Sequence, residues 1–217
     1  MEIEKAAKRI HQFEGESLTD KLFSLEVKFR GLNRKESEKM CEQFELNSNL
    51  IASAFEVKKL AAQIHIVIHT IGILAALPSI LDDDEHIEYL SLGAGNTGRK
   101  FDLETNKRIA EFKFINWRGG ADAIRQNSLF KDFYELAEYE SSKKRYLYTL
   151  GVDIPFKFFN GYRSLESVLS HNNKLFREFS EKYVSRFKNV NDYYQYRKNL
   201  VEIVDISRII PELIESV

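Results

Sequence analysis

Residues 101–114 read FDLETNKRIAEFKF and hold three side chains whose types and spacing could do chemistry together: Asp102, Glu111 and Lys113. A two-residue hairpin loop at Thr105 and Asn106 would set Glu104 against Lys107 and Asp102 against Ile109. Strand side chains alternate faces, so Asp102 then shares a face with Ile109, Glu111 and Lys113. Asp102 and Glu111 become diagonal cross-strand neighbours. Ala110, Phe112 and Phe114 point the other way, into an apolar layer. A one-residue slip of register would destroy this arrangement.

Two carboxylates in a half-buried place repel each other, and a hard cation relieves that repulsion. Mg2+, or Mn2+ in its place, suits one or two carboxylates completed by water and a substrate phosphate. Such an ion activates a water and stabilises charge building on phosphorus. The Lys113 ammonium, two residues from Glu111 on the same face, can hold the attacking water and offset charge in the transition state. The chemistry indicated is metal-dependent hydrolysis of a phosphodiester. The competing reading is a solvated salt-bridge ladder, which is worth little to stability.

Elements to position these residues follow from periodicity. Residues 1–46 mix charged and apolar residues with mostly helical spacing, although 26–29 alternates like a strand. Asn47, Ser48 and Asn49 offer a helix start. Residues 50–77 read as one long helix ended by Pro78, and their apolar middle reads as a buried core element short of the ~20 residues a membrane span needs. Three strands are expected at 87–92, 99–104 and 107–115. A helix over 121–139 follows, with Ile124, Leu129, Phe133, Leu136 and Ala137 as its apolar side, and then a strand at 144–150. Beyond Gly151 the signals are helical: 164–169, 174–187 and 193–217. The expected fold is α/β, a small mixed sheet flanked by helical regions at both ends. The expected division is 1–46, 47–151 and 152–217.

Composition narrows the function classes. Hydrophobic residues make up 43% and charged residues 30% of the 217, which is globular, and the formal net charge is −1. A nucleic-acid binder of neutral charge must concentrate its positive charge locally. Residues 99–145 do hold a local surplus of base, including Arg99, Lys100, Lys107, Arg108, Arg118 and Arg125. Trp117 either stacks on a base or caps the core, and Arg118 either meets a phosphate or is solvated. The single cysteine, Cys41, excludes a disulfide framework and a Cys-rich metal site. The N-terminal MEIEKAAKRIHQFEGE has no apolar signal core, so a cytoplasmic protein without a membrane partner is expected. The acidic run 82–85 lacks calcium-loop spacing and reads as a solvated connection. GAGNTG at 93–98 reads as turn glycine, because a strand rather than a helix follows it. His65 and His69 stand at i, i+4 and read as core or partly buried histidines rather than a chelating pair. Tyr193, Tyr194 and Tyr196 read as helix packing.

The segment resembles the PD-(D/E)xK nuclease superfamily, the restriction-endonuclease-like fold. Asp102 matches the motif's Asp and Glu111-Phe112-Lys113 its (D/E)xK, with Phe101 where the nominal motif has Pro. The order helix, three strands, helix, strand over residues 50–150 also matches. The resemblance covers about half of the chain and implies Asp102 and Glu111 as metal ligands and Lys113 as the catalytic lysine. It implies Gln126, on the following helix, as an accessory catalytic residue, and Glu56, on the preceding helix, as a further metal ligand. It implies DNA as the preferred substrate and leaves a homodimer open. A catalytically inactive fold of the same kind, used as a nucleic-acid or protein binding module, is the alternative.

Overall fold

A computed structural model describes residues 3–92, 100–115, 122–184 and 186–214, and the chain divides into two compact units, Met1–His65 and Ile66–Val217. The first unit is helical: α1 Ile3–Glu14, α2 Leu18–Phe29, α3 Arg34–Gln43 and the beginning of α4 Ser48–Ile80. Caps mark the helix starts. Ser17 Oγ accepts from the Asp20 N–H, Asn33 and Glu36 form a reciprocal capping box, and Asn47 Oδ1 accepts from the N–H groups of Asn49 and Leu50. The strand-like alternation at 26–29 is overridden, because it sits inside the capped helix α2.

The unit boundary falls within α4. Pro78 does not end this helix, which runs on to Ile80, and the Leu81 N–H still bonds the Leu77 carbonyl at 3.1 Å. A proline in the last turn removes one donor but leaves the remaining bonds intact. The expectation of a buried element holds only for one narrow stripe. Ile73, Ala76 and Ile80 are buried, whereas Ile66, Val67, Ile71 and Leu74 are exposed. By length and composition alone, α4 is long and apolar enough to cross a membrane, contrary to the sequence estimate.

The second unit is built on a mixed five-stranded sheet in the order β1-β2-β3-β4-β5: Ile87–Leu90, Leu103–Thr105, Arg108–Lys113, Lys144–Thr149 and Glu202–Asp205. β1, β2 and β3 form an antiparallel meander, and β3, β4 and β5 run parallel. Among the described residues the α-helices of this unit are the end of α4, α5 Ala123–Glu138, α6 Asp153–Phe159, α7 Leu165–Leu169, α8 Asn173–Tyr183 and α9 Val190–Arg197, and two short 3-10 turns, Ile206–Arg208 and Pro211–Leu213, follow the last strand. The strand β5 corrects the all-helical reading of the C-terminal region. Val201, Ile203 and Val204 are half-buried or better, and a short β-branched run beside a buried parallel strand pairs with it rather than continuing α9.

Period-two alternation splits the sheet's side chains between two layers. Leu103, Ala110, Phe112 and Tyr148 join Ile73, Ala76 and Ile80 of α4 on one face. Ile109 and Leu147 face Leu129, Phe133 and Leu136 of α5, with α6–α9 completing that core. The expected apolar side of α5 is right except at Ile124, which is 81% exposed near the helix start. Tyr193 and Tyr194 are buried, in accord with helix packing. Glu138 collects the hydroxyls of Tyr183 and Tyr193, each at 2.6 Å, and the Arg197 guanidinium at 2.8 Å.

The acidic run is solvated at Asp82, Asp83 and Asp84 but not at Glu85. Glu85 is buried, and the Arg108 guanidinium donates to both of its oxygens while Thr105 Oγ1 donates to one. Lys107 Nζ pairs with Asp82 and Asp84. These contacts clamp the β2–β3 turn, whose loop residues are Asn106 and Lys107 rather than Thr105 and Asn106. Thr105 is drawn into the strand because its hydroxyl accepts from the backbone N–H groups of Lys107 and Arg108, at 3.0 and 2.8 Å.

Candidate active site

The displaced turn changes the register in a way that keeps the faces. Leu103 pairs with Ala110 and Glu104 with Ile109, and continuing that register one residue past the start of β2 sets Asp102 against Glu111. The expectation was a diagonal pair. Moving the register by two residues rather than one preserves which side chains share a face, so Asp102, Glu111 and Lys113 still point together. That face is the one covered by α5.

Asp102 sits just before β2, and its side chain takes over a ladder position. Its Oδ2 accepts from the Phe112 N–H at 3.0 Å, and its own carbonyl accepts from the Ser91 N–H at 2.7 Å. From α4, His69 Nε2 reaches Asp102 Oδ2 at 3.3 Å. His69 is fixed in turn by the edge of Phe114, with ring centroids 5.7 Å apart. Gly72 makes this approach possible, since a Cβ there would stand 2.8 Å from two Phe114 ring atoms. From α5, Asp132 Oδ2 lies 2.6 Å from Lys113 Nζ, an ion pair without an aligned hydrogen bond to that oxygen.

The electrostatics divide the two facing carboxyls. Burial works to raise the Asp102 pKa, but hydrogen bonds from His69, the Phe112 N–H and the Glu111 carboxyl hold it below the ordinary 3.8. Burial, together with the charges of Asp102 and Asp132, pushes Glu111 well above the ordinary 4.5, with Lys113 opposing. Glu111 is therefore the member of the pair that keeps its proton to higher pH, and that proton bridges it to Asp102. Burial likewise raises Asp132 against the pull of Lys113. Lys113 stays an ammonium. Burial alone would lower its pKa, but Asp132, Glu111 and Asp102 together raise it.

This donor set suits a hard divalent ion. Among the described residues no three His, Cys, Asp or Glu side chains converge tightly enough to cage a metal. A Mg2+ site needs no such cage, because one or two carboxylates plus water and substrate phosphate complete it. Once the shared proton is gone, two buried carboxylates facing each other repel, and a cation in place of that proton would relieve the repulsion. Lys131 on α5 acts electrostatically on Asp132 and Glu135, and the exposed Lys100 on Glu135, so positive charge lies beside the α5 carboxyls.

The other expected site residues are placed as follows. Gln126 lies on α5 but is engaged by Arg163, whose Nη1 donates to its Oε1 at 2.8 Å. Glu56 is exposed on the part of α4 that belongs to the first unit. Arg99, Trp117 and Arg118, like the GAGNTG stretch, lie outside the described residues. His65 is exposed, contrary to the expectation of a core or partly buried histidine, whereas His69 is partly buried and meets Asp102. Two functional candidates were missed, His69 and Asp132. Asp132 left a signal: it falls three residues after Leu129 and four before Leu136, a carboxylate on the apolar stripe of an amphipathic helix. Compared with protein families, curated proteins and solved structures, the chain finds no match in any of the three.

Proposed function

We propose that this protein is a metal-dependent nuclease of the PD-(D/E)xK kind, with a restriction-endonuclease-like core, hydrolysing phosphodiester bonds in nucleic acid and preferring DNA. The single observation that carries the reading is the Asp102 carboxyl, just before β2, held beside Glu111 of β3 through the Phe112 N–H, with Lys113 two residues on. The order α4, β1, β2, β3, α5, β4 and the mixed sheet support it. Asp102 and Glu111 would hold Mg2+ or Mn2+. The bound ion supplies an activated water and offsets charge on phosphorus. His69 keeps the Asp102 carboxylate ionised and oriented. The Lys113 ammonium holds the attacking water in line and neutralises charge as the transition state forms. Lys100 and Lys131 give the phosphate backbone its local positive field.

The test is incubation of the purified chain with plasmid, single-stranded DNA and RNA, with Mg2+ or Mn2+, beside Lys113→Ala. Cleavage that depends on the cation and falls by about 10²-fold or more in the variant supports the proposal. Cleavage unchanged by the substitution would assign the activity to another site or a contaminant. The near-neutral net charge favours one second reading, a binding module that keeps the acid–lysine face without cleaving. Retained nucleic-acid binding with no cleavage under any of these conditions would select it.

A further inference from the structure

We infer that Asp132 is the positioning residue of the lysine: a carboxylate delivered by α5 that ties down Lys113 Nζ so that the ammonium is presented to the Asp102–Glu111 pair in one orientation. The inference rests on the nuclease reading and deepens it. A lysine ammonium rides on four rotatable bonds, and three carboxyls lie within its electrostatic reach. Without an anchor it would collapse onto Glu111 or Asp102 and compete with a metal ion for the same oxygens. Asp132 approaches from the opposite layer, at 2.6 Å, and only 6% of its side chain is exposed, against 20% for Lys113.

A merely stabilising role does not explain Asp132. Its neighbours on the helix stripe, Leu129, Phe133 and Leu136, are fully buried, and an apolar residue at 132 would extend their packing. Replacing buried ion pairs by apolar groups is often neutral or stabilising. Here the carboxylate also adds its charge to that of Asp102 beside Glu111, which raises the cost. A charge placed against both burial and its neighbours points to a task at the partner it holds. Gln126, the residue that the family resemblance would select on this helix, is engaged by Arg163 instead.

The experiment uses the full chain with Asp132→Asn, Asp132→Glu, Lys113→Ala, Glu111→Gln and the Asp132→Asn/Lys113→Ala double variant, each checked for fold by circular dichroism. Three readouts are taken: the 15N–1H spectrum of the lysine Nζ groups, Mn2+ affinity by calorimetry, and kcat and KM for DNA cleavage. The expected results are a protected Nζ signal that disappears in Lys113→Ala, is lost in Asp132→Asn and returns in Asp132→Glu. Mn2+ affinity and KM stay within about threefold in Asp132→Asn while kcat drops by about 10–100-fold, as for groups that orient a reacting residue. The double variant is no slower than Lys113→Ala. An Nζ signal indifferent to Asp132→Asn would overturn the tie. A loss of Mn2+ affinity matching that of Glu111→Gln would make Asp132 a ligand instead. If Asp132→Asn does not fold, Asp132→Glu decides, since it keeps the charge and must keep the signal. A wild-type chain that cleaves nothing sinks the nuclease reading and the catalytic role with it, while the Nζ spectrum judges the tie separately.

Discussion

Replacing Glu111 by Gln should make the metal-free protein more stable while abolishing its activity. Glu111 is 8% exposed and directly opposes Asp102. Two unit charges ~4 Å apart repel by about 4 kcal/mol at an effective dielectric constant of 20, the scale of the repulsion when both carboxyls are ionised. Lys113 and the shared proton relieve part of this, leaving about 1–3 kcal/mol for the amide to recover, because Gln keeps the volume and can donate to Asp102. In a chain of 217 residues that corresponds to several degrees in the unfolding midpoint. The sign also fixes a pH trend. The Glu111 pKa is raised on folding, so its contribution favours the folded state at low pH and is lost as pH rises above the ordinary 4.5. The advantage of Glu111→Gln should therefore grow from acidic toward neutral pH. Thermal scans between pH 5 and 8, with and without millimolar Mn2+, measure it. The cation should raise the midpoint of the wild type and barely move that of the variant. A variant less stable than the wild type without metal at every pH, or stabilised equally by Mn2+, would refute the repulsive pair.

Two further outcomes concern the frame around the site. Burial opposes ionisation of Glu85, but Arg108, Thr105 and the Asp82 N–H bring its pKa down to about 2 from the ordinary 4.5. The resulting stability, about 3 kcal/mol at 1.36 kcal/mol per unit, is present above pH 4.5 and disappears as pH falls toward 2. Denaturant titrations at pH 7 should show a loss of about that size in Glu85→Gln, shrinking toward pH 3, whereas a pH-independent difference would contradict the ion pair. Gly72→Ala should forfeit the ~1 kcal/mol that alanine normally adds to a helix interior, because its methyl meets the Phe114 ring at 2.8 Å. An unfolding midpoint raised by the full helix-propensity gain would show that α4 does not approach the sheet this closely.

How much of this was legible in the sequence differs by element. The β2–β3 hairpin, its faces and the carboxyl pair could be read from period-two alternation, which survives a register shift of two. The turn itself could not, because Thr105 joins the strand through hydroxyl contacts to the N–H groups of Lys107 and Arg108. The burial of Glu85 was hidden for a related reason: its partner Arg108 is 23 residues away, and a run of acids reads locally as solvated. The strand β5 is too short to show a period and exists through its pairing with β4. His69 and Asp132 sit on helices whose relation to β3 is a matter of tertiary packing, so spacing alone could not join them to Asp102 and Lys113. The accessory role expected of Gln126 followed from resemblance rather than from helix phase; in the structure Asp132 of α5 meets the lysine, and Gln126 meets Arg163.

The most direct measurement of the central claim is anomalous diffraction from crystals grown with Mn2+. The account predicts a peak held by carboxylate oxygens of both Asp102 and Glu111 at about 2.1 Å, the distance at which a small hard divalent ion binds oxygen, with the proton between the two carboxyls displaced. Crystals in which Mn2+ binds elsewhere, or in which Glu111 remains hydrogen-bonded to Asp102 at saturating metal, would contradict it.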